Sequence, residues 1–439
     1  MLRRSLLLVV ACLSLAANTA LAEPAIAHRE RTLDNGLRVI LHEDDRLPII
    51  AVEVHYALGT MHDPEAARGL VHTIEHMMFR GSDHVPDGDH FFHLQRAGGV
   101  GANASTRNED MSFVETVPSL GLETALWLEA DRMGFFAPRE DALDAERRTV
   151  ANEWQTRVSS EPRAILMEQV WNALFPPSHP YAHESASTVA GVTLADLEAT
   201  ASAHIGPGNA TLVLAGDLPA DVDAMIDKYF ASLQGGTPPD AVDVSRKLTE
   251  QVVLQPATDM SRIPMALIGW PTPGLHEPGD AEADIVATAL NNEVFETILV
   301  EEGIDPRGLL LFESQQVSMV GQSAMFMIAT GPPGTDPNTL LQMMDRVLAH
   351  VGTRGLDDAD ISRAAKRLST EMLGVLQTLE GRAALLSTYA ATGHSPDWIA
   401  ADVGRYDRVR PQDVTTFVRT HLPLDRRVVL LNRGAGGGP

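Results

Sequence analysis

The sequence predicts an α+β protein made of two related sandwich domains, each a mostly antiparallel sheet covered by helices. Three observations predict this fold class. Stretches with the period of strands alternate with long stretches of helical period, a segment rich in glycine and proline divides the chain near its middle, and the order of elements in the second half loosely repeats that in the first. A chain of 439 residues also exceeds the length that one hydrophobic core usually organises.

The first half begins with two stretches in which apolar and polar residues alternate, as they do in half-buried strands. The strands predicted for this half lie at 37–41, 50–54, 111–117 and 210–215. Between them the apolar residues recur at helical spacing, which predicts helices. The predicted helices lie at 69–79, 120–133 and 140–157, with a further helical stretch after Asp217.

Paired glycines and prolines at 235–240 cannot continue a helix or a strand, so this segment is the predicted linker. Beyond it we predict strands at 251–254, 265–270, 315–320 and 325–329, and helices at 281–302, 339–351 and 357–377. The predicted organisation is an N-terminal domain at 23–234, a linker at 235–246, a related C-terminal domain at 247–433 and a flexible tail at 434–439.

Residues 1–22 have the features of a secretory signal peptide, which predicts that the chain is exported to the periplasm. Arg3 and Arg4 give a basic start, residues 6–15 are mostly apolar, and small residues precede the expected cleavage before Glu23. Cys12, the only cysteine of the sequence, lies in this segment, and a lipoprotein that keeps a lipidated Cys12 is the alternative. No later apolar run reaches the roughly 18 residues that a transmembrane helix needs, so we expect no membrane span.

The charge balance is strongly acidic, with 34 basic and 59 acidic residues and a formal net charge of -25. Such a chain repels a phosphate backbone, so we expect no nucleic-acid partner. Two interpretations of the acidic surplus remain. One is a solvated surface, and the other is an acidic chamber that attracts basic peptides.

A short motif, His72-Thr73-Ile74-Glu75-His76, lies in the first long helical stretch. Residues four apart on a helix project from one face, so His72 and His76 can hold one metal ion through their imidazole nitrogens. Glu75 lies beside them, where a general base for a metal-activated water belongs. With 16 histidines in the chain the spacing can also arise by chance, so the motif alone is suggestive.

A catalytic zinc needs a third protein ligand. Glu146 and Glu153 are the candidates, because they lie seven residues apart on one predicted helix and therefore share a face. One of them can bind the metal while the other orients a histidine ligand by a hydrogen bond. The spacing does not decide which glutamate has which role, and each glutamate taken alone is an ordinary surface residue.

The motif and its flanks resemble the inverzincin peptidases of the pitrilysin and mitochondrial processing peptidase family, M16, in which His-x-x-Glu-His is followed by a glutamate about 75 to 77 positions later. Here Glu153 follows His76 by 77 positions, and residues 69–82 resemble the family's metal helix almost throughout. The resemblance implies one zinc ion per chain, bound by His72, His76 and Glu153. It implies Glu75 as general base and Glu146 as the acid that orients a ligand.

Other segments carry the same resemblance. Gly98-Gly99 followed by residues 103–106 is similar to the family's strand that pairs with extended substrate, and the match implies peptide substrates contacted by Asn103 and Ala104. His179-Pro180-Tyr181 and the segments 207–210 and 216–217 also fit. The resemblance covers nearly the whole mature chain, more strongly in the first half. The remaining histidines, which lack partners at ligand spacing, are expected to be structural or exposed: His55, His62, His84, His90, His93 and His183.

The second half departs from the family pattern. Single-chain relatives carry an arginine and, seven residues later, a tyrosine that reach the substrate, whereas this sequence has Ile304 and Leu311. Neither side chain donates the hydrogen bonds that stabilise a developing oxyanion. We therefore expect a heterodimer in which a related subunit supplies the arginine and tyrosine, with a homodimer, helped by Arg307, as the alternative.

The implied activity is that of a zinc metalloendopeptidase acting on short or unfolded peptides. The competing hypothesis is a non-catalytic scaffold or peptide-binding subunit of the same family. Because His72, Glu75, His76 and Glu153 are all present, the enzyme is favoured.

Overall fold

The computed structural model describes residues 24–159, 161–256 and 263–434, and within them the chain forms two sheets covered by helices. This confirms the predicted fold class. The predicted signal peptide at 1–22, with Cys12, and most of the predicted tail lie outside the described residues. The strands of the first sheet are β1 (Arg29–Thr32), β2 (Arg38–Glu43), β3 (Ile49–Tyr56), β4 (Val100–Thr106), β5 (Met111–Pro118) and β6 (Ala210–Gly216). Those of the second are β7 (Val252–Leu254), β8 (Met265–Pro273), β9 (Leu311–Val317), β10 (Gln322–Thr330) and β11 (Val428–Asn432).

Helices cover both sheets. In the first half they are α1 (Leu70–Met77), α2 (Asp89–Arg96), α3 (Leu122–Gly134), α4 (Glu140–Ser159), α5 (Pro162–Leu174), α6 (Ala186–Val189), α7 (Leu194–His204) and α8 (Val222–Phe230). In the second half they are α9 (Asp280–Ala289), α10 (Phe295–Glu301), α11 (Pro337–Arg354), α12 (Asp358–Val375), α13 (Leu379–Ala391), α14 (Ile399–Tyr406) and α15 (Pro411–His421). A π-helical turn, Leu290–Val294, joins α9 to α10, so the helix predicted at 281–302 is one interrupted helix.

The two sheets share one topology. The first has the order β1-β2-β6-β3-β5-β4 and the second the order β7-β11-β8-β10-β9. If β1 is set aside, each sheet has five strands in the same spatial order: the first strand in the sequence, then the last, the second, the fourth and the third. In each sheet the first and last strands are parallel, and the other neighbouring pairs are antiparallel. The described residues therefore contain the same sheet twice, which agrees with the repeat suggested by the order of elements.

The helical layers are exchanged between the halves. Helix α5 of the first half packs on the second sheet, with Leu166 and Val170 in one apolar cluster with Leu267 and Phe326. The approach is close because β8 carries Gly269, where an added Cβ would lie 2.8 Å from Val170 Cγ1. In return, α13 of the second half packs on the first sheet. Each sheet is therefore covered partly by the other half of the chain.

The segment 235–246, predicted as a linker, contains no helix or strand in the structure. It is packed against both halves: Val244 is buried, Arg246 Nε donates to the Leu174 carbonyl at 2.8 Å, and the Arg246 backbone N–H donates to Gln322 Oε1. The exact boundaries at 234 and 246 stay predictions.

Most strongly periodic segments form the predicted elements within a few residues. One strand is displaced, because β9 begins at Leu311 whereas the prediction began at Gln315. Elements that the sequence analysis did not identify include β1, α2, α13 and β11. Within the described part of the chain, no helix is long and apolar enough to span a bilayer.

Candidate metal centre and cleft

Helix α1, which carries the His-x-x-Glu-His motif, is fixed at its N-terminus. The Asp63 carboxylate accepts hydrogen bonds from the backbone N–H groups of Gly69 and Val71, at 2.7 and 2.9 Å. Gly69 precedes the helix with φ 95°, and a Cβ there would lie 2.7 Å from Val189 Cγ2. Only glycine fits that conformation in that space, so the direction in which α1 leaves the turn is determined locally.

The structure brings the three predicted metal ligands together. Glu153 Oε2, on α4, lies 3.6 Å from His72 Nε2 and 3.4 Å from His76 Nε2. Two ligand atoms held at about 2.0 to 2.2 Å from one tetrahedral zinc ion are about 3.3 to 3.6 Å apart. The spacing of these three side chains therefore fits zinc.

Each histidine has a second carboxylate on its other ring nitrogen. Glu146 Oε2 lies 3.0 Å from His76 Nδ1, and Glu184 Oε1 lies 3.5 Å from His72 Nδ1. Glu146 is on the same face of α4 as Glu153, seven residues earlier. A carboxylate on Nδ1 selects the tautomer that directs the Nε2 lone pair toward the metal. Glu184 was not predicted from the sequence, because it lies in a loop and shares no helical spacing with the motif.

Arginines bind both of these outer carboxylates. Arg80 Nη1 donates to Glu146 Oε1 at 2.8 Å, and Arg157 Nη2 donates to Glu184 Oε1 at 2.9 Å. Burial opposes ionisation of Glu184, but the hydrogen bond with His72 and the charge of Arg157 outweigh it and lower its pKa to about 2. The hydrogen bond with His76 likewise lowers the pKa of Glu146. Both outer glutamates are therefore held as carboxylates, which is the form that orients a histidine ligand.

Glu75 lies on α1 between the two histidines and is mostly buried. Thr106 Oγ1, on β4, donates a 2.6 Å hydrogen bond to Glu75 Oε2. Among the described residues no other hydrogen bond to this carboxylate is recorded, so its Oε1 remains available. The arrangement fixes the carboxylate while leaving one oxygen to act on a proton.

The three ligands, Glu75 and strand β4 line one cleft of about 760 Å³. Strand β4 forms the edge of the first sheet and pairs on one side only, with Asn103 opposite Val114 and Ala104 opposite Phe113. Asn103 and Ala104 both line the cleft, so the structure places the predicted substrate contacts beside the candidate metal centre. An edge strand offers unpaired backbone groups to an extended chain.

The acidic surplus of the chain is not concentrated in this cleft. The charged residues that line it, His aside, are Glu75, Glu146, Glu153, Glu184, Arg80, Arg107 and Arg157. Four carboxylates face three guanidinium groups, and a divalent metal ion would more than offset the difference. The cleft therefore favours the interpretation of the net charge as a solvated surface over that of an acidic chamber.

Two of the histidines set aside in the sequence analysis lie in polar clusters. His183 lines the cleft. His90 forms a buried group with Glu115 and Glu129 whose side-chain atoms are close enough to hold an ion. Arg132, however, contacts both glutamates, so a guanidinium already supplies the positive charge there.

The second half contributes no residue to the cleft among the described residues, since its lining runs from Thr60 to Glu184. Ile304 packs against the core of the second half, and Leu311 is 44% exposed at the start of β9. Arg307 is 89% exposed and binds Asp305 of the same turn. In the described chain, the structure therefore places none of these three residues at the cleft.

The fold and the site define a class of protein: a doubled α+β sandwich with a His-x-x-Glu-His helix, and a glutamate from a second helix, at one cleft. The family described as "Insulinase (Peptidase family M16)" matches residues 38–180, and that described as "Peptidase M16 inactive domain" matches residues 191–368. The chain belongs to peptidase family M16.

Relatives extend over most of the chain. The "Zinc protease PqqE" of Helicobacter pylori is 24% identical over 377 residues, which are 82% of this chain and 83% of that protein. A crystal structure of a protease from Helicobacter pylori superposes with a TM-score of 0.81 at 20% identity and covers 92% of this chain and 99% of that one. The first half of the periplasmic protease PqqL from Escherichia coli gives a TM-score of 0.74 at 15% identity, covering 92% of this chain and 91% of that one. These identities show a shared fold.

Proposed function

We propose that this chain is a zinc metalloendopeptidase that hydrolyses peptide bonds in short or unfolded peptides. The observation that carries the proposal is the convergence of His72 Nε2, His76 Nε2 and Glu153 Oε2, at separations that suit one zinc ion. Relatives named as zinc proteases support the same class of activity.

His72, His76 and Glu153 would hold the zinc, and Glu146 and Glu184 would keep the two imidazoles in the correct tautomer. When bound, zinc supplies a Lewis acid that polarises the scissile carbonyl and increases the acidity of a water molecule. The buried carboxylates around the histidines would keep these ligands from turning away.

Glu75 is the proposed general base. Its Oε2 is held by the Thr106 hydroxyl, so Oε1 would take a proton from the attacking water and deliver it to the leaving amine. The substrate would add to β4 as an extended strand, with Asn103 and Ala104 in contact with its main chain. Main-chain pairing requires an unfolded segment, which is why short or unfolded peptides are the proposed substrates.

Two further proposals concern the setting of the enzyme. We propose that it acts in the periplasm, on the basis of the predicted signal peptide and of a fold shared with PqqL, which is described as periplasmic. We also propose that a related subunit completes the site, because Ile304 and Leu311 replace the expected arginine and tyrosine. Full-length PqqL is consistent with pairing of two such units, since this chain matches 47% of it.

The decisive test is Glu75→Gln. The variant should bind one zinc ion per chain, because Glu75 is not a proposed ligand, and should lose peptide hydrolysis by at least about a hundredfold, because an amide cannot accept the proton. Zinc is measured by elemental analysis and turnover with a quenched fluorescent peptide. Retained turnover would remove Glu75 from this role.

The second candidate is a non-catalytic, peptide-binding subunit. The observation in its favour is the match of residues 191–368 to a family described as inactive, although that segment lies after all three proposed ligands. Elemental analysis separates the two candidates, since a scaffold would be purified without stoichiometric zinc and Glu75→Gln would change nothing.

A further inference from the structure

His183 is held in the cleft in a fixed orientation. Its Nδ1 lies 2.8 Å from Glu168 Oε2, and its ring stacks on Trp171 with centroids 4.4 Å apart and an interplanar angle of 11°. It belongs to the same cleft lining as the candidate zinc ligands and β4. A loop histidine with two such restraints is not an ordinary surface residue.

The groups that restrain His183 are themselves anchored. Asn172 Nδ2 donates to Glu168 Oε1 at 3.1 Å, and Trp171 Nε1 donates to the Tyr181 carbonyl at 2.9 Å. Trp171 is also buried in the cluster between α5 and the second sheet. The ring is therefore ordered before any ligand arrives, so a contact made by it costs little conformational entropy.

The second ring nitrogen of His183 has no recorded partner among the described residues. Because Nδ1–H donates to Glu168, the neutral ring keeps its lone pair on Nε2, which makes Nε2 a hydrogen-bond acceptor. The side chain is 28% exposed, so this edge is accessible from the cleft. Nε2 is therefore positioned to accept a hydrogen bond from a donor on a ligand bound in the cleft.

We propose that His183 is a substrate-positioning residue that accepts a hydrogen bond through Nε2 from a main-chain N–H of the bound peptide. This rests on the proposed peptidase function and adds to it a contact from the loop that carries His183, next to Glu184, in the cleft lining. The main chain is the proposed donor because the four carboxylates of the cleft exceed its three guanidinium groups by only one, and a bound divalent metal ion would more than offset this difference. The cleft therefore has no excess of negative charge to select basic side chains. The contact would therefore act on peptides of any sequence.

The test compares His183→Gln, His183→Asn and His183→Ala in the Glu75→Gln chain, where bound peptide is not cleaved. His183→Gln places an amide oxygen near the position of Nε2, whereas His183→Asn places its amide near Nδ1 and reaches only Glu168. Affinity is measured by fluorescence anisotropy with two labelled peptides of unrelated sequence, one basic and one acidic. The matched control is His204→Asn, since His204 bonds the Thr237 carbonyl outside the cleft.

We expect His183→Asn and His183→Ala to lower the affinity for both peptides by the same factor. The expected factor is about three- to tenfold, which is the contribution of one hydrogen bond. His183→Gln and His204→Asn should bind like the parent, and zinc content should not change. Equal affinity in all variants, a loss with Gln but not Asn, or a loss confined to one peptide would overturn the proposal. If the parent itself bound neither peptide, the proposed function would fail along with it.

Discussion

At the scale of single residues, the two histidines of the candidate metal site are oriented by carboxylates near their Nδ1 atoms. His72 and His76 both turn Nε2 toward Glu153, and each has a carboxylate near Nδ1, Glu184 and Glu146 respectively. Only Glu146 was predictable, since it shares a helix face with Glu153. Residues that orient ligands commonly affect metal affinity by about 10- to 100-fold.

Replacing these outer carboxylates should therefore weaken zinc binding without removing a ligand. We expect Glu184→Gln and Glu146→Gln each to lower zinc affinity by about tenfold or more, because an amide stabilises the histidine tautomer less well. Affinity is measured by competition with a chelating dye. Glu250→Gln, at an exposed position, is the control, and unchanged affinity in both cleft variants would contradict the roles assigned to these glutamates.

At the scale of elements, the contact between β3 and α13 contains a buried carboxyl group. Glu53 Oε1 accepts a 2.6 Å hydrogen bond from Ser387 Oγ, while its Oε2 is buried and has no hydrogen-bond partner in the part of the chain that the structure describes. Burial raises the pKa of Glu53 to about 7, although the bond from Ser387 opposes the shift. The group is thus protonated in the folded chain over a pH range in which it is ionised in the unfolded chain.

This gives a pH dependence with a definite sign. The folded state binds more protons than the unfolded state between the ordinary pKa of 4.5 and the raised value of about 7, so stability from Glu53 is present below 4.5 and is lost as the pH rises to 7. The loss is on the order of 3 kcal/mol for one such group. Glu53→Gln should therefore match the parent at pH 5 and melt at a higher temperature at pH 8.

Thermal unfolding of both chains at the two pH values checks this. Other buried carboxyl groups, including Asp63 and Glu129, also have raised pKa values, so the parent and variant must be compared at each pH. An equal melting temperature at pH 8 would mean that Glu53 is not a source of the pH dependence.

The two edge strands in equivalent positions, β4 and β9, also differ. In the second sheet, the Asn291 side chain from the π-helical turn bonds both the N–H and the carbonyl of Ser314 on β9. Asn291 thus occupies backbone groups that an added strand would need. On β4 the side chain of Thr106 instead bonds Glu75, and the strand lines the cleft. This difference favours peptide addition at the first sheet.

At the scale of the whole molecule, the exchange of α5 and α13 makes each half part of the other's covering layer. Even so, the cleft is lined by the first half alone among the described residues. Positions 304 and 311 lie in the second half and present aliphatic side chains. The proposal that a related subunit completes the site rests on these two positions.

We accordingly expect the purified chain to cleave an unfolded peptide at least about a hundredfold more slowly than the same chain with its related subunit, because losing one oxyanion donor has about that effect. The measurement is turnover of a quenched peptide, with and without a subunit that carries the arginine and tyrosine but lacks the His-x-x-Glu-His motif. Activity that rises with the square of the chain concentration would indicate a homodimer instead. A full rate for the isolated chain, with no gain from the partner, would refute the proposal.

The elements predicted correctly are those with a strong local pattern. Strand β5 is rich in apolar and β-branched residues, with Met111, Phe113 and Val117 on one face, and α11 repeats apolar residues at helical spacing, so both were identified within a few residues. Elements such as β1, with exposed polar residues, and α13, whose apolar residues face a sheet distant in sequence, lack such a pattern. Their conformations depend on contacts with parts of the chain that are distant in sequence.

By itself the sequence determined the doubled α+β architecture and the helix that carries His72, Glu75 and His76, because strand and helix patterns are local and a helix converts spacing into position. Glu153 as the proposed third ligand came from the family resemblance, since spacing alone left Glu146 as an equal candidate. Only the tertiary structure decided that Glu184 and His183 lie at the cleft, that the two halves exchange helices, and that no described residue of the second half reaches the cleft. Those features depend on distant loops meeting in space, which no local pattern specifies.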